Sequence, residues 1–287
     1  MKLGKVLEKI IEALLLLCAI SSVGIVFLVV GYIAWQGYPA VVNWFLNGFG
    51  MFWDGESNFG VIPTIFSTFY VGAGAVVIAT AIGIPTAFYL AEFSSSKIRN
   101  LIKPSLETLA GIPSVVMGYF GYFYIVPIVF AYFGGGLGVL SAWIILAIMS
   151  LPFVVSISED AIRAVPNSYR EASQGLGATR WQTAWHVVLP EAKSGILTAI
   201  LLALASVLGE TMAVWMVIGP NFNPAITLDP RPPSNVLTTL IAANVGQDAA
   251  GVGALNEALY GVALILFMLI GILNIAVTAL ARRRLSK

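Results

Sequence analysis

Charge is scarce in this chain of 287 residues: Asp, Glu, Lys and Arg together make up 10% of it, against about 25% in a typical soluble domain. Too few charged side chains remain to clothe a water-facing surface, which excludes a soluble globular protein and leaves an integral membrane protein. Cysteine occurs once, as Cys18 inside an apolar run. An internal disulfide is therefore excluded, a metal cluster is disfavoured, and Cys18 reads as a small hydrophobe. Histidine also occurs once, as His186, and reads as a helix-face residue. With no cluster of His, Cys or acids to build a metal or nucleophile site, no catalytic residue and no metal ligand is assigned, and the chain is not read as an enzyme. A Gly-x-x-x-x-Gly-Lys-Ser/Thr loop is missing too, so any ATP used must be held by another chain.

What the chain has is hydrophobic residues, 59% of the total, gathered into six runs. Each is long enough to cross a hydrocarbon layer of about 30 Å at about 1.5 Å per helical residue. The spans are expected at 10–34, 64–90, 106–133, 139–157, 196–218 and 258–280. The first has a core too long for a signal peptide and reads as a retained span, with Tyr32, Trp35 and Tyr38 at its far end suited to the headgroup zone. Span two carries Gly72, Gly74 and Gly83, which permit close helix approach and predict a tight packing face. Residues 236–245 are apolar but too short to cross, and suit a re-entrant or surface helix.

The near-neutral net charge of +1 hides a strong asymmetry. Lys2, Lys5 and Lys9 precede span one. Lys97, Arg99 and Lys103 follow span two; Arg163, Arg170, Arg180 and Lys193 follow span four; Arg282, Arg283, Arg284 and Lys287 follow span six. Arg231 alone falls on the other side, where Asp54 and Glu56 also lie. By the positive-inside rule the chain is a multi-pass protein of the cell (cytoplasmic or inner) membrane, embedded in the lipid bilayer with both termini cytoplasmic.

The longest polar break, residues 159–193, is too ordered for a slack loop. Pro166 suits a first helical turn, Asn167 to Gln174 can form about two turns, and Gly175 and Gly177 stop them. Thr179 and Gln182 have the spacing of a capping box for a second short helix, whose far end Pro190 is expected to limit. A DNA-binding helix-turn-helix would have the same outline, but a reader tethered between two membrane spans is implausible, and no nucleic acid partner is assigned. A passive interfacial linker would leave the ordered spacing unexplained.

That spacing carries a resemblance. Glu171, Ala172 and Ser173, then Gly177 after three residues, then Val187, Leu189 and Pro190 after nine more, is similar to the EAA loop of ABC importer permeases. Ser173 stands for the usual Ala and Val187 for the usual Ile. The resemblance implies that residues 166–190 form the coupling helix, which docks on a cytoplasmic ATPase subunit.

Two further stretches resemble the permeases of phosphate (Pst) importers, PstC type. One is LIKPSLETLAGIPSVVMGYFGYFYIVP (101–127), with Lys103-Pro104, Leu106-Glu107, Ala110 through Ser114 and Gly118-Tyr119. The other is Gly209-Glu-Thr-Met-Ala-Val214 in span five. Glu210 is the one acid well inside a span, where an ionised carboxylate costs roughly 2.5–3.5 kcal/mol and should face the bundle interior or a wet cavity. The family commonly has an Arg one turn earlier; here that position is Ser206, which removes the obvious partner. Glu210, Thr211, Ser114 and Thr68 are candidate substrate-path residues, with Thr64 as a further hydroxyl, although packing roles serve these hydroxyls equally well.

The resemblance spans roughly residues 58–281. It implies an all-α integral membrane protein of six transmembrane helices with the type I ABC importer permease fold. Residues 1–57 are then an N-terminal transmembrane helix and outer loop, 58–281 the ABC importer transmembrane domain with its coupling loop at 159–193, and 282–287 a basic cytoplasmic tail. It further implies a second, PstA-like permease subunit, a PstB-like ATPase dimer that binds the ATP and Mg, and an extracytoplasmic PstS-like phosphate-binding protein. No cofactor is assigned to this chain itself. A permease for sulfate, molybdate or tungstate shares the coupling loop. An ion-gradient transporter would need intramembrane relays or internal repeats, neither of which is convincing here.

Overall fold

Across an apolar layer every backbone N–H and C=O must be satisfied within the chain, and a helix does so without help from side chains. The computed structural model describes residues 2–50, 53, 59–221, 226–248 and 253–282, and its only extended pairing among these is an isolated bridge between Trp53 and Phe59. Asp54, Glu56, Arg283, Arg284 and Lys287 lie outside the described residues, as do the side chains of Lys2, Lys5 and Arg282. Among the described residues, six helical segments are long and apolar enough to cross a membrane: Glu8–Asn47, Ile62–Glu92, Ser114–Phe133, Val139–Arg163, Arg180–Leu208 and Ala254–Ala276.

Span one belongs to α1 (Lys2–Asn47), which runs well past residue 34 into the stretch expected to be outer loop. Packing explains the extension. A Cβ at Gly37 would meet the Tyr260 carbonyl at 2.5 Å, and Trp44 covers Gly261, so the far half of α1 lies directly on the last helix, α12 (Ala254–Arg282). Among the described residues the near half has no such partner, and its large apolar side chains from Ile10 to Val29 are exposed.

Span two is α2 (Ile62–Glu92), the spine of the bundle, which packs along α6 (Val139–Arg163). The expected glycine face is there. Gly74 lies so close to the Trp143 indole that a Cβ would come within 2.0 Å of it, while the Trp143 Nε1–H donates to the Tyr70 carbonyl at 3.0 Å. Val71, Ala75, Ile145, Leu146, Val214 and Val217 complete the core here.

Two expectations need correction. Span three starts at Ser114, because residues 106–110 belong to α3 (Ser96–Ala110), a separate helix with no buried residues. Pro113 disfavours helix at Ile112 and has no N–H to donate to a helical hydrogen bond, so the chain bends there before α4 (Ser114–Phe120). Span five is longer at one end and broken at the other. Pro190 does not end the short helix before it; the helix runs on from Arg180 to Leu208. A π turn at Ala184–Val188 precedes the proline, and another at Gly121–Ile125 precedes Pro127 between α4 and α5 (Val126–Phe133). The wider turn re-registers the ladder just where proline withdraws its N–H, so each helix continues. The remaining helices are α7 (Asn167–Gly175), α8 (Arg180–Thr183), α9 (Leu189–Leu208), α10 (Met212–Ile218) and α11 (Leu237–Asp248). The α11 segment matches the stretch judged too short to cross.

Candidate functional site

The polar break folds as its glycines and caps dictate. Helix α7 ends with two backbone bonds, from Gly177 N to the Gln174 carbonyl at 2.9 Å and from Ala178 N to the Ser173 carbonyl at 3.2 Å. That pair is a Schellman ending, and it needs the φ of +90° that Gly177 adopts. The Thr179 hydroxyl then accepts from Gln182 N at 3.3 Å while the Gln182 side chain accepts from Thr179 N at 2.8 Å, the expected capping box. A 3.0 Å bond between the Ser173 and Thr183 hydroxyls ties the two helices together. The corner projects: Leu176 is 91% exposed, and Tyr169, Trp181 and Trp185 are also open.

Of the seven expected docking residues, Glu171, Ala172 and Gly177 lie exposed on or beside the projecting helix, with Ser173 half-buried behind them. Val187, Leu189 and Pro190 sit at the root of the element, and Leu189 packs against the core built by Phe88, Ile162, Val188 and Ile196. The element therefore has a free tip and an anchored base.

The residue that holds it in place escaped sequence reasoning. Glu92, the last residue of α2, is 7% exposed and accepts from Arg170 Nη2 at 2.6 Å and Nε at 3.2 Å. Arg170 also donates to the Val165 carbonyl at 2.6 Å and the Ile162 carbonyl at 3.1 Å, so it reaches the end of α6 as well. Arg180, on the second helix of the element, donates to the Glu92 carbonyl and lies over the Phe93 ring at 5.4 Å. One residue, through its carboxylate and its backbone carbonyl, thus gathers both arms of the corner. Nearby, Lys103 of α3 pairs with Glu159 at 2.7 Å and Asp160 at 2.5 Å at the end of α6. Burial of the Lys103 ammonium works to lower its pKa, but the hydrogen bonds to Asp160 and Glu159 outweigh it and hold the group above the ordinary lysine value. No sequence spacing connects Glu92 to Arg170, 78 positions away, and a lone acid at the end of an apolar run reads as interfacial.

The second site lies within the bundle. Helix ends at Leu208 and restarts at Met212, and Glu210 stands in the break. Its Oε1 accepts from Thr211 N at 3.1 Å and Ala213 N at 3.2 Å, so the start of α10 supplies the partner that the missing arginine does not. Glu210 borders a cavity of about 200 Å³ with Ser114, Ser150, Ser206, Ile112, Met149 and Phe153 among the other wall residues. Among the described residues, no lysine or arginine is part of the wall. Of the four candidate path residues, Ser114 and Glu210 share this cavity. Thr211 follows Glu210 without being part of the wall, its hydroxyl 3.5 Å from the Gly209 carbonyl. Thr68 lies elsewhere, buried at 3% exposure. It donates to the Thr64 carbonyl at 2.7 Å and accepts from Leu237 N at 3.0 Å, fully engaged in joining α2 to α11. Ser150 is a wall residue that sequence reasoning did not single out, and Ser206, noted there only as standing in place of an arginine, is another.

Arg231, the one basic residue assigned to the other side of the membrane, is paired within its own loop with Asp229, at 2.7 Å from Nη2 and 2.9 Å from Nε. That pairing holds the Asp229 carboxyl below the usual carboxylate range.

Residues 83–286 match the family described as binding-protein-dependent transport system inner membrane component. The chain is 36% identical over 233 residues to the "Probable ABC transporter permease protein YqgH" of Bacillus subtilis, covering 80% of this chain and 74% of that protein. It is 32% identical over 276 residues to the "Phosphate transport system permease protein PstC" of Xylella fastidiosa, covering 86% and 81% respectively. Among solved structures, a chain of the inward-facing MetNI methionine ABC transporter superposes with a TM-score of 0.60 at 19% identity, covering 78% of this chain and 95% of that one. A chain of a bacterial alginate ABC transporter, in complex with a periplasmic protein carrying an alginate pentasaccharide, superposes with a TM-score of 0.64 at 14% identity and 96% coverage of both. These likenesses show the type I ABC importer permease fold.

Proposed function

Because the chain belongs to the family of binding-protein-dependent transport system inner membrane components, we propose that this multi-pass membrane protein is the PstC-like permease subunit of an ATP-driven phosphate importer. The observation that carries the reading is the projecting corner of α7 and α8, with its bare Leu176 tip and anchored base. In this reading the corner and both termini face the cytoplasm, and Glu171, Ala172, Ser173 and Gly177 enter a groove on an ATPase dimer that holds the ATP and Mg. Val187, Leu189 and Pro190 secure the element to the bundle.

Closure of the ATPase dimer moves the corner as a lever. The movement passes into α6 and α9, which flank it in the chain, and opens the outer mouth to a phosphate-loaded binding protein. This chain forms half of the translocation path, and a PstA-like permease forms the other half. Glu210 and Ser114 line the path at the cavity, with Thr211 beside them. No covalent step is required of any residue. Similarity to the PstC relative supports phosphate as the substrate, and the stretches 101–127 and 209–214 support the same assignment.

The test is uptake of labelled phosphate in cells lacking a backup phosphate system, with and without this chain, with sulfate and molybdate as competitors, and with Gly177→Val. Uptake that requires the chain, resists both competitors and fails in Gly177→Val supports substrate class and coupling together. Uptake of sulfate or molybdate instead would keep the importer and overturn the substrate.

A further inference from the structure

Helix α2 is gripped at both of its ends by parts of the molecule that have to move together. At one end Glu92 binds Arg170 and, through its carbonyl, Arg180, so both arms of the coupling corner hold it. At the other end three consecutive contacts fasten α2 to the segment between α10 and α11. The Ser234 hydroxyl donates to the Ser67 hydroxyl at 2.8 Å, Leu237 N donates to the Thr68 hydroxyl at 3.0 Å, and the Tyr70 hydroxyl donates to the Leu228 carbonyl at 2.5 Å. One residue beyond Leu237, the Thr238 hydroxyl donates to the carbonyl of Glu210 at 3.0 Å. A continuous line of buried or half-buried contacts therefore runs from the coupling corner, along one helix, to the residue that borders the cavity.

Helix α2 is suited to carry a displacement. About 36 Å of helix separates Thr68 from Glu92 at about 1.5 Å per residue, roughly the thickness of the membrane. Its helical assignment is unbroken from Ile62 to Glu92 despite Pro85. Gly74 and Gly83 seat it against Trp143 and Val154 of α6 with no slack, and close-packed interfaces of this kind shift between discrete arrangements and do not deform gradually.

We propose that Glu92 is a positioning residue that passes the ATPase stroke into α2, and that Ser67 and Thr238 pass it on to Glu210, so that the nucleotide state of the ATPase sets the position of the cavity carboxylate. This relay rests on the reading of the corner as the ATPase dock. It adds a third, non-covalent route to the two covalent ones through α6 and α9. It also gives the outer segment a direct report of events on the opposite face of the membrane. Because coupling between states is reciprocal, a loaded binding protein that favours one position of the outer segment shifts the ATPase dimer between its open and closed states through the same residues, and hydrolysis reports that shift.

The test uses the complete transporter reconstituted in lipid, with ATP hydrolysis measured with and without phosphate-loaded binding protein. The variants are Glu92→Gln, Ser67→Ala, Thr238→Val and the combination Glu92→Gln with Thr238→Val. In Ser67→Ala and Thr238→Val the relay predicts that ATPase co-purifies at the wild-type ratio and that unstimulated hydrolysis stays within about twofold. Stimulation by the loaded binding protein falls at least about tenfold in Glu92→Gln and Thr238→Val and less in Ser67→Ala, and the combination is no worse than its more impaired member, as one shared route requires. Wild-type stimulation in Thr238→Val and Ser67→Ala would overturn the relay, as would losses that multiply in the combination. If Glu92→Gln fails to assemble, those two variants decide alone. Failure of the wild-type chain to hold any ATPase would sink the docking reading and the relay with it, an outcome visible before any variant is measured.

Discussion

Two glutamates far apart in the bundle, Glu92 and Glu210, meet the same problem in opposite ways. Each is a carboxylate on or beside a membrane-spanning helix, where an uncompensated charge is expensive. Glu92 is compensated by a guanidinium from a distant part of the chain, two of whose nitrogens donate to one carboxylate oxygen, at 7% and 18% exposure of the two side chains. Glu210 is compensated by the backbone N–H groups of the turn that follows it. The first arrangement is a joint between elements. Among the described residues, the second leaves one carboxylate oxygen available beside a cavity and ties up no cation, which suits a residue that has to meet a substrate and release it.

The largest expected effect breaks that contrast at its stronger end. Replacing Glu92 with Ala leaves Arg170 charged and buried without its partner, which should cost about 3–5 kcal/mol, read from thermal unfolding in detergent. Adding Arg170→Met should recover much of the loss, since no charge is then stranded; a double variant worse than Glu92→Ala would show that Arg170 matters through its bonds to the Ile162 and Val165 carbonyls instead.

Next in size is Gly177→Val. At a φ of +90° a side chain is strained by about 1–2 kcal/mol, yet nothing lies within 4 Å of the position for it to strike. The corner should distort while the bundle stays intact, so ATPase retention in a pull-down should fall much further than the melting temperature.

Glu210→Gln should change stability by less than about 1 kcal/mol, because the amide oxygen can still accept from Thr211 and Ala213. Phosphate uptake should nevertheless drop by at least about tenfold, an order-of-magnitude expectation for losing a charge that faces the path. A stability loss as large as that of Glu92→Ala would erase the distinction between the two glutamates.

The smallest effect is a pH dependence at Lys103. Its folded pKa lies above the ordinary lysine value of 10.5, so the stability it contributes is complete below that value and is lost as pH rises through the higher folded one. The cost of Lys103→Met, measured by thermal unfolding, should therefore be flat across roughly pH 6 to 9 and shrink only in strong alkali. A cost that varied within that window would overturn the assignment to the Lys103 ammonium.

The parts of this protein that were legible in its sequence are those set by local chemistry. Six apolar runs, the glycine face of α2, the Schellman corner at Gly177 and the Thr179–Gln182 capping box each depend on residues a few positions apart, and each was found where it was expected. The boundaries that moved did so for tertiary reasons. Helix α1 runs on because Gly37 and Trp44 find a surface on α12, and the helix through Pro190 continues because a π turn absorbs the proline.

By itself the sequence determined the membrane class, the number of spans and the helix–corner–helix element, because hydrophobic runs and backbone caps act over one or a few turns. Only the tertiary structure decided that Glu92 joins Arg170, that Thr68 serves α11 and not the cavity, and that Ser114, Ser150 and Ser206 share a wall with Glu210. Those pairings bring together residues from separate helices. The periodicity of one helix records which of its faces is buried, but not which residue of another helix will be waiting there.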